Sequence, residues 1–296
     1  MSQIYDNPDY WFSGTPRKTK KSKSSAGIPS SSTVRTNYTP KKTALANIKS
    51  ANKKAPQAVV KISGSSKGAD KAQAHATYIG RNGQVELEDQ DGNKYKGNEQ
   101  KTALGAWQAQ GMHDKHSSGA RREAFHFVFS MPNGTNPEAL KKAVKNMVKE
   151  EFDGHQYFMA QHLDTDSPHV HVLMNATNAK GERLNPRKQD LHNYRVAFVQ
   201  KLAEQGVEAT AIRRIHQFKY QDNALQGKIH GDERKGEKTR KKAPTAEQMR
   251  RIKATHKDVA EQYKSYAEKL PPEDAELKNE LKKLVDSLSK EKSRGR

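Results

Sequence analysis

The chain has 296 residues, no cysteine, 54 Lys and Arg against 34 Asp and Glu, and a formal net charge of +20. A basic surplus of this size points to a polyanionic partner, while the missing cysteines exclude disulfides and thiolate metal sites, so any metal must be held by His or carboxylate. Only 32% of residues are hydrophobic, no apolar run approaches the roughly 18 residues that span a bilayer, and MSQIYDNPDYWFSG lacks the order of a signal peptide, which together predict one compact cytoplasmic domain with solvated ends, nucleic acid as partner and no membrane insertion.

Residues 1–55 are rich in Ser, Thr, Pro and Lys, with the basic run PRKTKKSK, and are predicted to be a disordered basic arm. QAVVKISGSSKG alternates Val60 and Ile62 with Lys61 and Ser63, the pattern of a half-buried strand ending at Gly64. In KGADKAQAHATYIGRNG, Ala69, Ala72, Ala76 and Ile79 recur at helical spacing and Asn82-Gly83 closes the segment, which puts Tyr78 in the last turn of a helix. QVELEDQDGN reads as a short strand and turn, and residues 98–110 as a helix. REAFHFVFSMPNG is a strand with Phe125, Phe127 and Phe129 on one face, and NPEALKKAVKNMVKEEF a helix capped by Asn136 with Pro137 at its first position. HQYFMAQH and HVHVLMNA are two further strands, followed by the helix QDLHNYRVAFVQKLAEQG, which Gly206 ends. This order predicts an α+β domain with an antiparallel core over residues 56–225. Residues 226–296 are expected to be a charged linker and a polar helical extension, interrupted at Pro271-Pro272. The linker's GDERKGEKT is no phosphate-binding loop, because Glu237 stands where that motif needs Lys.

The richest stretch is HLDTDSPHVHVLMNA, residues 162–176. In a hairpin across LDTDSP, His162 ends one strand opposite His169, and His171 points the same way as His169 because strand side chains alternate faces. Three imidazoles then converge, and three protein ligands with open positions is the pattern of a catalytic metal site. An isolated HxH on a strand is usually two surface histidines, and it is the third histidine that changes the reading. Asp164 and Asp166 are either turn formers or acceptors that fix a ligand imidazole's tautomer; the acceptor role is assigned to Asp164.

HLDTDSPHVHVLMN resembles the third motif of conjugative relaxases, plasmid mobilisation endonucleases of the His-hydrophobe-His class, over roughly residues 57–215. The resemblance implies an antiparallel sheet of about five strands flanked by helices, a divalent cation held by the three histidines, and a tyrosine nucleophile shortly after the first strand. Tyr78 in HATYIGRNG matches that tyrosine, FHFVFSMP the middle motif, and Asn175 the residue closing the third. The implied reaction nicks one DNA strand at a transfer origin, leaving a 5′-phosphotyrosine and a free 3′-OH. Accessory origin-binding proteins, a type IV secretion coupling protein and export with the DNA into a recipient are implied as well.

Arg81, one turn after Tyr78, is placed to steady a phosphate, and Asn175 together with Arg183, Asn185, Arg187 and Lys188 of KGERLNPRK are expected as DNA contacts. Asp164 and His126 are supporting candidates for the chemistry. Imidazole donors suit Zn, Mn or Ni, whereas the resemblance implies Mg or Mn, which we put first. The rivals are a rolling-circle replication initiator, in which histidines commonly precede the tyrosine, a metal-dependent hydrolytic nuclease using water, and an inert DNA-binding module.

Overall fold

Phe125, Phe127 and Phe129 are all buried on strand β4 (Ala124–Ser130), the result expected when every second residue of a strand faces a core. The computed structural model describes residues 11–14, 40–109, 122–165, 167–213, 231–232, 234–237 and 244–291. The chain divides into two compact units, Met1–Ala211 and Ile212–Arg296.

In the first unit β4 lies inside a sheet with β1 (Val59–Ser66), β2 (Leu87–Asp89), β3 (Lys94–Tyr95), β5 (Tyr157–His162) and β6 (His169–Asn175). The spatial order is β1-β4-β6-β5-β2-β3, and every pairing is antiparallel. The sheet has six strands where about five were expected, because β3 pairs with β2 through only two residues, too short a run for any alternation to announce.

One face of the sheet carries Val60, Phe127, Phe129, Met159, Val172 and Met174 into a core with helices α4 (Pro137–Glu151) and α5 (Lys188–Glu204). Helix α4 starts as its sequence dictates, with Asn136 Oδ1 accepting from the amides of Glu138 and Ala139 at 2.9 and 3.1 Å. The opposite face carries Ala124, Phe158, Ala160 and Leu173 against α2 (Ala69–Ile79) and α3 (Asn98–Ala109), which contribute Ala72, Ala76, Ile79, Leu104 and Trp107. Residues 162 and 171 continue the series of Phe158, Ala160 and Leu173, so the histidines stand on the α2 side of the sheet.

Two stretches of residues 1–55 are ordered, against the expectation of a disordered arm. Helix α1 (Pro40–Asn52) buries Ala44 and Ile48 at i, i+4 spacing, and Trp11, Phe12 and Ser13 are no more than 2% exposed. Asn47 joins these pieces, donating from Nδ2 to the Phe12 carbonyl at 2.8 Å and accepting on Oδ1 from the Ala211 amide at 3.2 Å. A segment's average composition hides a few well-spaced apolar residues that tertiary packing then uses. The basic run PRKTKKSK lies outside the described residues.

In the second unit, α6 (Ala246–Lys269) begins at a capping box between Thr245 and Gln248 and packs with α7 (Ala275–Glu291). The break falls at Pro271-Pro272 as expected, with one 3-10 turn, Pro272–Asp274. Most of the charged linker, the KSRGR end and Asp166 lie outside the described residues. No described helix is long and apolar enough to cross a membrane.

Candidate active site

Helix α2 turns Ala72, Ala76 and Ile79 inward, so the opposite side of its last turn is presented outward and Tyr78 is 58% exposed. The helix stops where the Gly80 amide bonds the Ala76 carbonyl, and the chain then adopts positive φ at Arg81 (50°), Asn82 (54°) and Gly83 (94°). Two non-glycine residues in this region cost on the order of 1–3 kcal/mol each, a strain that persists only where surrounding contacts hold it. Those contacts are Gly83 N–H to Gly80 O, Val85 N–H to Gly80 O and Gly97 N–H to Gly83 O. A Cβ on Gly83 would lie 2.8 Å from Gly97 Cα, so Gly83→Ala should lower stability by roughly 1–3 kcal/mol in thermal unfolding and slow any reaction that uses Tyr78.

The strain aims Arg81 back across the site. Its Nη2 lies 2.7 Å from Asp164 Oδ2 in the β5–β6 turn, and its Cζ lies 5.5 Å from the centre of the Tyr78 ring. Asp164 therefore does not orient an imidazole, the role expected of it; it binds the arginine beside the tyrosine. Arg81 holds the Asp164 carboxyl below the usual range against a raising contribution from burial.

His162 and His169 face each other in the β5–β6 register, with ring centroids 5.2 Å apart, and His171 lies 4.6 Å from the first and 5.0 Å from the second. One ring nitrogen from each lies within 4.8 Å of the others. The His162 Nε2–H donates to the Ile79 carbonyl at 2.6 Å, which leaves its Nδ1 lone pair buried and without a partner. The His169 Nδ1–H donates to the Ser167 carbonyl at 3.0 Å and frees Nε2, while His171 Nδ1 is also buried without a partner. Outer acceptors that fix tautomers are thus backbone carbonyls. Burial pushes the His171 imidazole down to about 3, helped by the neighbouring histidines, and holds His162 below the usual range. Both are neutral at ordinary pH, the state a metal ligand needs, and three imidazoles with two buried ring nitrogens left without a partner fit a divalent cation.

Residues 78–207, which begin at this tyrosine and contain all three histidines, match the family described as "Relaxase: MobA/VirD2-like, nuclease domain". These residues form a relaxase nuclease domain. No curated protein matches the sequence. A relaxase is a DNA-nicking enzyme that acts by transesterification on single-stranded DNA, typically with a divalent metal.

The remaining candidates divide sharply within the relaxase domain. Asn185, Arg187 and Lys188 are exposed where α5 begins. Asn175 is 2% exposed, its Oδ1 accepting from the Thr177 amide at 3.0 Å and its carbonyl from His155 Nδ1 at 2.9 Å, which corrects the expected DNA contact to a structural one. Arg183 donates to Thr177 Oγ1 at 2.7 Å and to the Arg122 carbonyl, and lies 3.7 Å from the buried Glu123 carboxylate. Its charge is engaged inside the relaxase domain. His126 stands on the histidine side of β4 and meets a residue missed from the sequence, His75, whose only signal was its place three residues before Tyr78 on one helix face.

Proposed function

We propose that this relaxase nicks one strand of a plasmid transfer origin by attack of Tyr78 on the scissile phosphate, as the first step of conjugative mobilisation. The observation that carries the reading is the hydrogen bond from His162 to the carbonyl of Ile79, which ties the residue after the exposed tyrosine to the histidine trio. This bond links the end of the tyrosine's helix to the histidine trio, although 83 residues separate Ile79 from His162.

In the proposed step the Tyr78 Oη forms a bond to phosphorus, the P–O3′ bond breaks, and the phenolic proton ends on the departing 3′ oxygen. One phosphodiester is exchanged for another and no water is consumed, so the same site can rejoin the ends. His162, His169 and His171 would hold the cation, Mg or Mn on family grounds and Zn or Ni on imidazole softness. When bound it supplies positive charge to a non-bridging phosphate oxygen. Arg81 steadies the phosphate beside Tyr78, giving up Asp164 for it, since an exposed ion pair is worth no more than about 1 kcal/mol. Asn185, Arg187 and Lys188 grip the strand by its backbone. The reading carries with it accessory origin-binding proteins, a type IV secretion coupling protein and passage of the tyrosine-linked strand into a recipient.

Binding to single-stranded DNA should weaken with salt at a log-log slope of roughly 0.7 per phosphate neutralised. Arg187→Ala with Lys188→Ala should lower that slope by up to about 1.4 in fluorescence-anisotropy titrations, and an unchanged slope would remove α5 from the DNA interface. The function itself is tested by incubating the protein with supercoiled plasmid carrying its own mobilisation region. Open circles should form with divalent metal and fail to form with excess chelator. Nicking without a protein-linked strand would instead support a water-using hydrolase.

A further inference from the structure

The proposed chemistry uses Tyr78, Arg81 and three histidines, yet two more imidazoles lie beside the nucleophile. The His75 ring on α2 stacks face to face on the His126 ring of β4, with centroids 3.5 Å apart and planes within 5°. On its other neighbour, Tyr78, the same ring is 6.0 Å away and inclined by 29°. His126 is itself anchored, because its Nε2 lies 2.7 Å from Ser66 Oγ on β1. Its Nδ1 faces Gly64, where a Cβ would stand 3.1 Å away, so the glycine just past the irregularity in β1 leaves the space the ring occupies. Ser66, His126, His75 and Tyr78 thus form a continuous column from the sheet to the nucleophile.

Such a column answers a physical need. A tyrosine 58% exposed at a helix end is not fixed by core packing, and its phenol must be held in line with the phosphorus for attack to be efficient. Resting on the reading of Tyr78 as nucleophile, we propose that His75 is a positioning residue: stacked on His126, it sets the direction in which the Tyr78 ring presents its oxygen. Burial holds the His75 and His126 imidazoles down to about 4, so both are uncharged at neutral pH and stack without repulsion. Taking up the phenolic proton would put a cation in this half-buried stack, which argues for action through shape and against a proton-accepting role.

The test is single-turnover cleavage by the full chain on DNA carrying its nick site, with DNA affinity and thermal unfolding measured alongside. His75→Ala should slow adduct formation by roughly 10-fold to 100-fold, with DNA affinity changed by no more than about 3-fold and the adduct still on Tyr78. His75→Phe, which keeps a stacking ring and has no titratable nitrogen, should recover the rate to within about 3-fold of the original. His126→Ala removes the partner ring without touching α2 and should slow the same step. An unchanged rate in His126→Ala overturns the proposal even where His75→Ala fails to fold, and a His75→Phe as slow as His75→Ala overturns it in favour of proton transfer. Tyr78→Phe separates the two readings: if it cleaves normally the nucleophile assignment fails, whereas an inactive Tyr78→Phe beside a fully active His75→Ala refutes the positioning role alone.

Discussion

Tyr78→Phe is expected to abolish strand cleavage and the covalent protein–DNA adduct together, with the rate down by at least about 1000-fold, while metal and single-stranded DNA still bind. The substitution removes only the hydroxyl, and a ring 58% exposed contributes little to packing, so the unfolding midpoint should hardly move. The other described tyrosines of the first unit are poor substitutes. Tyr95 donates its hydroxyl to Asp89 at 2.8 Å, Tyr194 is 1% exposed in the core, and burial pushes the Tyr157 phenol up to about 12. Cleavage assays on a labelled oligonucleotide, resolved with and without protease digestion, read both losses at once. Normal cleavage by Tyr78→Phe would contradict the assignment.

Replacing any one of His162, His169 and His171 by Ala should lower cleavage by at least about 100-fold and leave DNA affinity within a few-fold, because in the proposed mechanism contacts to the DNA backbone supply binding and the trio would hold the cation. The three substitutions are not equivalent. His162 is 2% exposed and its removal orphans the Ile79 carbonyl, so this variant should also unfold at lower temperature and loosen the turn that follows Tyr78. His169 and His171 are less buried, and their replacement should cost metal affinity with a smaller loss of stability. Calorimetric titration with Mn, beside thermal unfolding, distinguishes the two effects. Metal binding and nicking that survive all three substitutions would remove the trio from the mechanism.

The antiparallel plan was legible because local pattern and tertiary demand agree in it: Phe125, Phe127 and Phe129 alternate into a core, and Asn136-Pro137 starts α4 as capping chemistry requires. The histidine trio was legible for the same reason, since a hairpin fixes which side chains share a face. Pairings between distant segments were not. Asp164 is a turn residue two positions after a histidine in the sequence, but the strained turn after α2 brings Arg81 across 83 residues to claim it. In a chain of +20 charge every basic residue resembles a DNA contact, and only the fold shows that Arg183 pairs with the buried Glu123. His75 was invisible because its partner, His126, lies on another element, and a single imidazole on a helix carries no sign of a stack.

The central claim is that Tyr78 becomes linked to DNA at the histidine site, and mapping the linkage tests it most directly. The full chain would be incubated with metal and an oligonucleotide carrying the mapped nick site, digested with protease, and the nucleotide-bearing peptide sequenced by mass spectrometry. The expected result is a peptide spanning Tyr78 joined to the 5′ phosphate of the downstream fragment, present with metal and lost in excess chelator. An adduct on another tyrosine, or full cleavage with no adduct, would contradict the account.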